Sequence, residues 1–275
     1  MNGFLRASVR TTARIANLVP FGQSFISGIE VYFAQAHGIG YVASMQEETR
    51  AALQCIHSAA PVVFDAGANR GDWTKSLLTD LPSQAHVYAF DPAPTNIHEL
   101  QQITDSRVSV IPMALGKSEG EATLYSRAPG DGSGSLFNYR EIRHAGPVEE
   151  LAQETVKVTT LDAFIKQQGI TSIDFMKMDL EGSEFAVLEG GLESLKAGII
   201  HAFSFEFGPC NIASKTYLLD FWYLLNGLSY SLNLIGPTGV LVPIREYSAR
   251  YEVFRHSNFI AIHDPQGVQA TKFHR

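Results

Sequence analysis

The sequence predicts an α/β protein with a doubly wound sheet, open, mostly parallel and covered by helices on both faces. Three observations carry that expectation. Val62-Val63-Phe64-Asp65 is a short apolar run that breaks into Ala66-Gly67-Ala68-Asn69-Arg70-Gly71, and a helical pattern opens at Asp72 and Trp73. From Pro61 onward strand and helix patterns alternate, as they do when crossover helices join parallel strands. Four strands also end in an acid, Asp65, Asp91, Asp179 and Glu206, and in such a sheet those ends share the edge where ligands bind.

A chain of 275 residues has room for one large α/β domain and an extension, or for two small domains. Hydrophobic residues make up 45% and charged residues 18%, ordinary values for a soluble globular protein. A formal net charge of -7 argues against a nucleic-acid partner, which needs clustered Lys and Arg. Cys55 and Cys210 lie far apart without metal spacing, so a disulfide scaffold is not expected and the reducing cytoplasm is the default compartment. No apolar run is long enough for an integral membrane span. Homo-oligomerisation is left open.

Residues 1–58 lack strand signals and read as an N-terminal helical extension, a lid or packing segment. Arg6, Arg10 and Arg14 would share one helix face, beside Leu5, Val9, Ile15 and Leu18, with no acid before Glu30. A basic helix at a membrane surface or a targeting segment is one reading. A solvated helix packed on the domain is preferred, because three arginines are few. After Pro20-Phe21-Gly22 breaks the pattern, helices are expected near 25–35 and 45–57.

Residues 59–275 read as the main domain. Trp73, Leu77 and Leu78 give the helix after the glycine turn, and 86–91 is a second strand ending in Asp91 before Pro92. Ile97, Leu100 and Ile103 suit the next helix, and 108–111 is a third strand leading to Met113-Ala114-Leu115-Gly116. An inserted hairpin and loop is expected near 119–159, with a short edge strand at 121–126 and a strand at 156–159. Between them Pro129-Gly130-Asp131-Gly132-Ser133-Gly134-Ser135 is either a flexible linker or a lid on the ligand side. A helix follows from Leu161, then strands at 173–179 and 199–207, a helix near 215–226, and strands at 230–235 and 258–262. Gly236-Pro237-Thr238-Gly239 and a polar connection separate the last two.

The glycine turn also limits the ligand. The dinucleotide fingerprint G-x-G-x-x-G is absent, because Gly71 comes four positions after Gly67, which disfavours an NAD-dependent oxidoreductase. Asp65 beside the turn disfavours an anion and suits a cationic amine or sulfonium with a ribose diol, a description that S-adenosylmethionine (SAM) meets. Asp91 lies one crossover after Asp65, the spacing of the acid that holds a ribose, and Pro92 follows it. Gly67 and Asn69 would lie near the methionine part, Gly71 belongs to the same cofactor-binding turn, and Asp65 would set the turn or meet the amine through water. Met113 and Ala114 would flank the adenine. Each acid alone also has a plain explanation as a helix cap or solvated strand end.

At this point the chain resembles the FkbM-type family of SAM-dependent methyltransferases. The resemblance rests on Phe64–Gly71, Ala89-Phe90-Asp91-Pro92, Ala114-Leu115-Gly116 with Leu124-Tyr125, and Thr160-Leu161-Asp162. Its sharpest part is Met176-Lys177-Met178-Asp179-Leu180-Glu181-Gly182-Ser183-Glu184 with Leu188-Glu189-Gly190-Gly191, and the whole spans about 61–262. It implies a Rossmann-like SAM-dependent methyltransferase fold, with a seven-stranded sheet whose last strand is antiparallel, and O-methylation of sugar or polyketide hydroxyls. Asp91 stands where family members often carry Glu, a shorter acid that can still bind a diol. The N-terminal segment and the loop after Ser126 lie outside the resemblance and are expected to choose the acceptor.

Methyl transfer to a hydroxyl needs in-line positioning and a general base. Asp179, which also borders the cofactor site, Glu181 and Glu206 are the candidates by placement, with His144 and His256 as weaker ones. On an extended segment Asp179 and Glu181 could point to one side, and with Glu206 they could hold a divalent metal ion. The plain alternative is that Glu181 and Glu184 cap the next helix. A metal-free site is preferred. The expected partner is a small-molecule hydroxyl acceptor; a SAM-binding protein of the same fold without catalysis is the alternative.

Overall fold

The computed structural model describes residues 12, 21–140 and 150–265. The arginines at 6, 10 and 14, the apolar positions beside them and His144 lie outside the described residues. From residue 21 the described chain begins with two helices, α1 (Gly22–Ala36) and α2 (Met45–Leu53). Ser44 and Glu47 close a reciprocal cap on α2, and Glu47 Oε1 also accepts from Thr238 N at 2.7 Å. That second bond clamps α2 to the turn between the last hairpin's strands.

The chain then runs β1 (Val62–Ala66), α3 (Asp72–Leu78), β2 (His86–Phe90), α4 (Pro94–Leu100), β3 (Val108–Ile111), β4 (Ala114–Leu115), β5 (Gly120–Ser126) and β6 (Ala152–Thr159). It continues through α5 (Leu161–Gln168), β7 (Phe175–Met178), α6 (Glu184–Gly190), α7 (Leu192–Lys196), β8 (Ala202–Phe207), α8 (Cys210–Ser214) and α9 (Leu218–Gly227). The last strands are β9 (Tyr230–Ile235), β10 (Leu241–Ile244) and β11 (Ser257–His263).

The main sheet has the order β10-β9-β11-β8-β7-β1-β2-β3. Strands β8, β7, β1, β2 and β3 are mutually parallel, and β11 is antiparallel to both its neighbours. The doubly wound sheet is thus as expected, with one strand more than the seven read from the sequence. The addition is β10, antiparallel to β9. Pro243 argues against a strand there, since it donates nothing to a ladder, but β10 lies at the sheet edge, where proline is tolerated. Strands β4, β5 and β6 pair in a separate three-stranded sheet and do not extend the main one.

Successive residues of the central strands point to opposite faces, and both faces are buried. Phe64, Met176 and Phe205 meet Phe164, Leu188 and Phe221 on one side; Val63, Val87 and Phe175 meet Trp73 and Leu77 on the other. Phe205 stacks on Phe221 at 4.5 Å between ring centres, and Trp73 on Phe175 at 6.3 Å. Asp162 closes this packing by accepting from Ser194 N at 2.9 Å and Ser194 Oγ at 2.6 Å, which holds the start of α7. From β1 the chain winds one way to β2 and β3, and later the other way to β7 and β8. The reversal leaves a crevice beyond the carboxyl ends of β1 and β7, the usual ligand position in such sheets.

Candidate active site

Gly67 closes β1 with φ 81°, and a Cβ there would stand 2.0 Å from the Asp179 carbonyl oxygen. Only glycine serves, both for the left-handed backbone and for the approach to β7. The N–H groups of Gly67 and Ala68 both donate to Phe90 O, at 3.0 and 2.9 Å. Asn69, itself at φ 50°, donates its backbone N–H to Asp91 Oδ2 at 2.9 Å. Asp91 Oδ1 accepts from Ala93 N at 2.9 Å and Asn96 Nδ2 at 3.2 Å. One carboxylate therefore joins the glycine turn to the start of α4. Burial pushes its pKa up to about 6. A carboxylate has about four lone-pair sites, so one is left for a ligand.

Of the residues singled out in the sequence, Gly67, Asn69, Asp91 and Pro92 line one cavity in the crevice, with Met113, Ala114 and Asp179. The space between its atoms is about 660 Å³, counting the part open to solvent. Asn96, Ser126 and Ser183 also line it and were not anticipated. Their positions carried a faint signal: Asn96 lies in the first turn after Asp91, and Ser183 inside the Lys177–Glu184 block. Ser126 had none, because its place depends on how the small sheet docks.

Those residues share a further property. Asn69 Oδ1, Asn96 Oδ1, Ser126 Oγ and Ser183 Oγ are buried without a hydrogen-bond partner. Buried polar atoms are nearly always satisfied, and four that gather round one cavity call for a guest with polar groups. The loop of residues 127–140 supplies the outer wall through Gly130, Gly132 and Leu136. Ser135 pairs with Tyr125 in both directions, at 2.8 and 2.9 Å, and its Oγ donates to Glu181 O at 2.7 Å. The loop is thereby pinned over the cavity.

Two expected contacts stand behind the cavity wall. Asp65 is wholly buried and its Oδ2 accepts from Thr74 Oγ1 at 2.5 Å. It ties β1 to α3 and so sets the turn. Gly71 starts α3 at φ 78°, with Ile103 Cδ1 2.6 Å from where a Cβ would lie. Its surroundings are hydrophobic packing.

The chain after Asp179 is not extended, which separates the acids read as neighbours. Glu181 at φ 52° and Gly182 at φ 101° turn it sharply. Asp179 borders the first cavity, while Glu181 lines a second, smaller one with Glu184, Glu206, Cys210 and His256. Glu184 Oε1 accepts from Leu180 N at 2.8 Å and Oε2 from Gly182 N at 2.9 Å. It holds the turn as a cap would, and burial pushes its pKa up to about 8. Cys210 Sγ donates to Glu181 Oε2 at 3.2 Å, and His256 Nδ1 is hydrogen-bonded to Glu206 Oε1. Among the described residues no group of three or more His, Cys, Asp or Glu is arranged to hold a metal ion.

A family model described as the methyltransferase FkbM domain matches residues 65–230, more than half of the chain. This chain belongs to the FkbM methyltransferase family. The 2-O-methyltransferase NoeI of Sinorhizobium fredii is 27% identical to this FkbM-family chain over 175 residues, 58% of this chain and 69% of NoeI. Methyltransferase 1 of Beauveria bassiana is 27% identical over 143 residues, 46% of this chain and 57% of that protein. The crystal structure of an FkbM methyltransferase from Methylobacillus flagellatus overlays with TM-score 0.45 at 15% identity, covering 87% of this chain and 60% of the other. The fold assignment rests on the strand order and the family match, not on that overlay. No helix among the described residues is long and apolar enough to cross a membrane.

Proposed function

We propose that this FkbM-family chain transfers the methyl group of SAM to a hydroxyl of a small molecule, a sugar, a polyketide or a related secondary metabolite. The observation that carries the reading is the set of four unpartnered buried atoms around a cavity that Asp91 borders at the switch point of the sheet. A nucleoside with an amino-acid tail offers donors for all four. The remaining lone pair of Asp91 suits a ribose hydroxyl. Met113 and Ala114 suit the adenine, and Gly67, Asn69 and Asp179 suit the methionine end with its ammonium group. When bound, SAM supplies an electrophilic methyl group.

The chain's own contribution on the acceptor side lies across the Asp179–Glu184 turn. Asp179 is held by Lys177 and Glu181 accepts from Cys210, which leaves Glu206 with His256 as the pair arranged for proton transfer. A ring whose Nδ1–H is held by a carboxylate carries its lone pair on Nε2, and there it takes the hydroxyl proton as general base. Glu206 orients the ring and stabilises the charge it acquires. The name of NoeI as a 2-O-methyltransferase supports the choice of oxygen as acceptor.

Calorimetry of SAM binding, followed by a screen of sugar, lipid-linked and polyketide alcohols with labelled SAM, tests the proposal. Binding with transfer to one class is the expected result. Binding with no transfer to any class would favour a non-catalytic SAM-binding protein, and no binding would remove the cofactor assignment.

A further inference from the structure

Helix α1 carries its largest side chains away from the body of the molecule. Phe25, Ile29, Tyr32 and Phe33 recur at spacings of three and four residues, so they form one stripe along the helix, with Phe21 one turn earlier. All five are exposed, Phe21 by 85%, Phe25 by 70% and Tyr32 by 69%. Val31 and Ala34, on the opposite side, are half-buried. Glu30 is the one charged side chain among Gly22–Ala36. An isolated helix of this length is marginal in water, and a contiguous aromatic surface of this kind marks a contact site.

The charge of the neighbouring sequence says what the contact is with. Residues 1–29 contain Arg6, Arg10 and Arg14 and no Asp, Glu or Lys, although the whole chain has a net charge of -7. In the sequence, positive charge is thus concentrated just before the aromatic stripe. Arginines next to Phe, Tyr and Ile suit the headgroup region of an anionic bilayer, where the rings enter the acyl boundary and the guanidinium groups meet phosphate. A second copy of this chain would bring its own arginines to the contact, like charge against like. The rest of the chain, being acidic, would stay off the surface.

The place where α1 rejoins the body is also informative. Gln35 Nε2 donates to Gly40 O at 3.0 Å, and Gly40 N donates to Ser257 Oγ at 2.8 Å. Ser257 follows His256, so the helix is anchored next to the second cavity. We propose that the stripe Phe25, Ile29, Tyr32 and Phe33, together with the arginines before it, seats this chain on an anionic membrane surface without crossing it. This holds whatever the reaction at the site.

The test is flotation of the full-length protein with phosphatidylcholine vesicles, with and without about one third phosphatidylserine. The protein should float with the anionic vesicles, stay behind with the neutral ones, and be released by salt. Replacing Arg6, Arg10 and Arg14 together by Gln should weaken binding about a hundredfold. Phe25→Ser, Tyr32→Ser and Phe33→Ser combined should abolish it, with thermal melting of the body unchanged. If the serine variant does not fold, the arginine variant and the salt titration decide. Absence of flotation with anionic vesicles, or equal binding to both kinds, would overturn the proposal. So would a dimer in sedimentation that the serine variant dissolves and anionic vesicles do not.

Discussion

Lys177 Nζ donates to Asp179 Oδ2 at 3.0 Å from a side chain only 8% exposed, while that of Asp179 is 45% exposed. The ammonium lies 5.9 Å from the centre of the Trp73 ring, and Asp65 and Glu48 add their fields to that of Asp179 and raise its pKa despite burial. One buried cation thus serves three acids, one of them at the cavity edge. It holds that edge in place.

Lys177→Met should therefore destabilise the fold by about 3–5 kcal/mol, the range for removing one partner of a buried ion pair. Urea denaturation measures it. Adding Asp65→Asn to that variant should recover part of the loss, because the stranded carboxylate is then neutral. A double variant no more stable than the single one would show that Lys177 and Asp65 are not coupled.

Asp91→Asn should weaken SAM binding about ten- to a hundredfold, the loss of a charged acceptor for a ligand hydroxyl. For the unmodified protein the affinity should decline as pH falls through about 6, where burial has placed the Asp91 pKa. In the Asn variant that dependence should vanish. Calorimetry between pH 5 and 8 decides, with an expected loss of about one decade in affinity per pH unit below the pKa.

Folding stability should have the opposite slope. Burial raises Glu184 from 4.5 to about 8 and Asp91 from 3.8 to about 6. Between the unfolded and the folded values the native state binds more protons than the unfolded chain, so the associated stability is full at low pH and is lost as pH rises. A loss of about 5 kcal/mol between pH 5 and pH 8 is expected for the protein without cofactor. Chemical denaturation at the two pH values would contradict both shifts by giving equal stabilities.

Glu206→Gln and His256→Gln should each lower turnover about a hundredfold or more on the true acceptor while leaving SAM affinity unchanged. A general base acts on the proton of the acceptor and not on the cofactor. Loss of the acid limb of the pH–rate profile in His256→Gln is the confirming sign. If turnover of both variants matched the unmodified protein, the base would lie on another residue.

Much of the fold was legible because the physics behind it is local. Val62-Val63-Phe64 and Phe175-Met176 are apolar on both faces and need cover on both, and the Gly67 turn needs φ 81°. The eighth strand was hidden because Pro243 speaks against a strand until its edge position is known. Glu181 was misplaced for a related reason. A non-glycine residue at φ 52° is held there by its surroundings, among them the Ser135 bond to its carbonyl, and Ser135 is distant in the chain.

By itself the sequence determined the strand-turn-helix order, the row of acids along one sheet edge, and the likeness of the Lys177–Glu184 block to one methyltransferase family. These follow from side-chain period, turn chemistry and residue identity, which are written along the chain. Tertiary structure alone decided that Asp65 stands behind the cavity and Asp91 beside it, that Asn96, Ser126 and Ser183 meet round one space, and that Glu206 is bonded to His256. Each depends on which distant segments the packed core brings within hydrogen-bond reach, and a bond that acts over about 3 Å leaves no trace in sequence spacing.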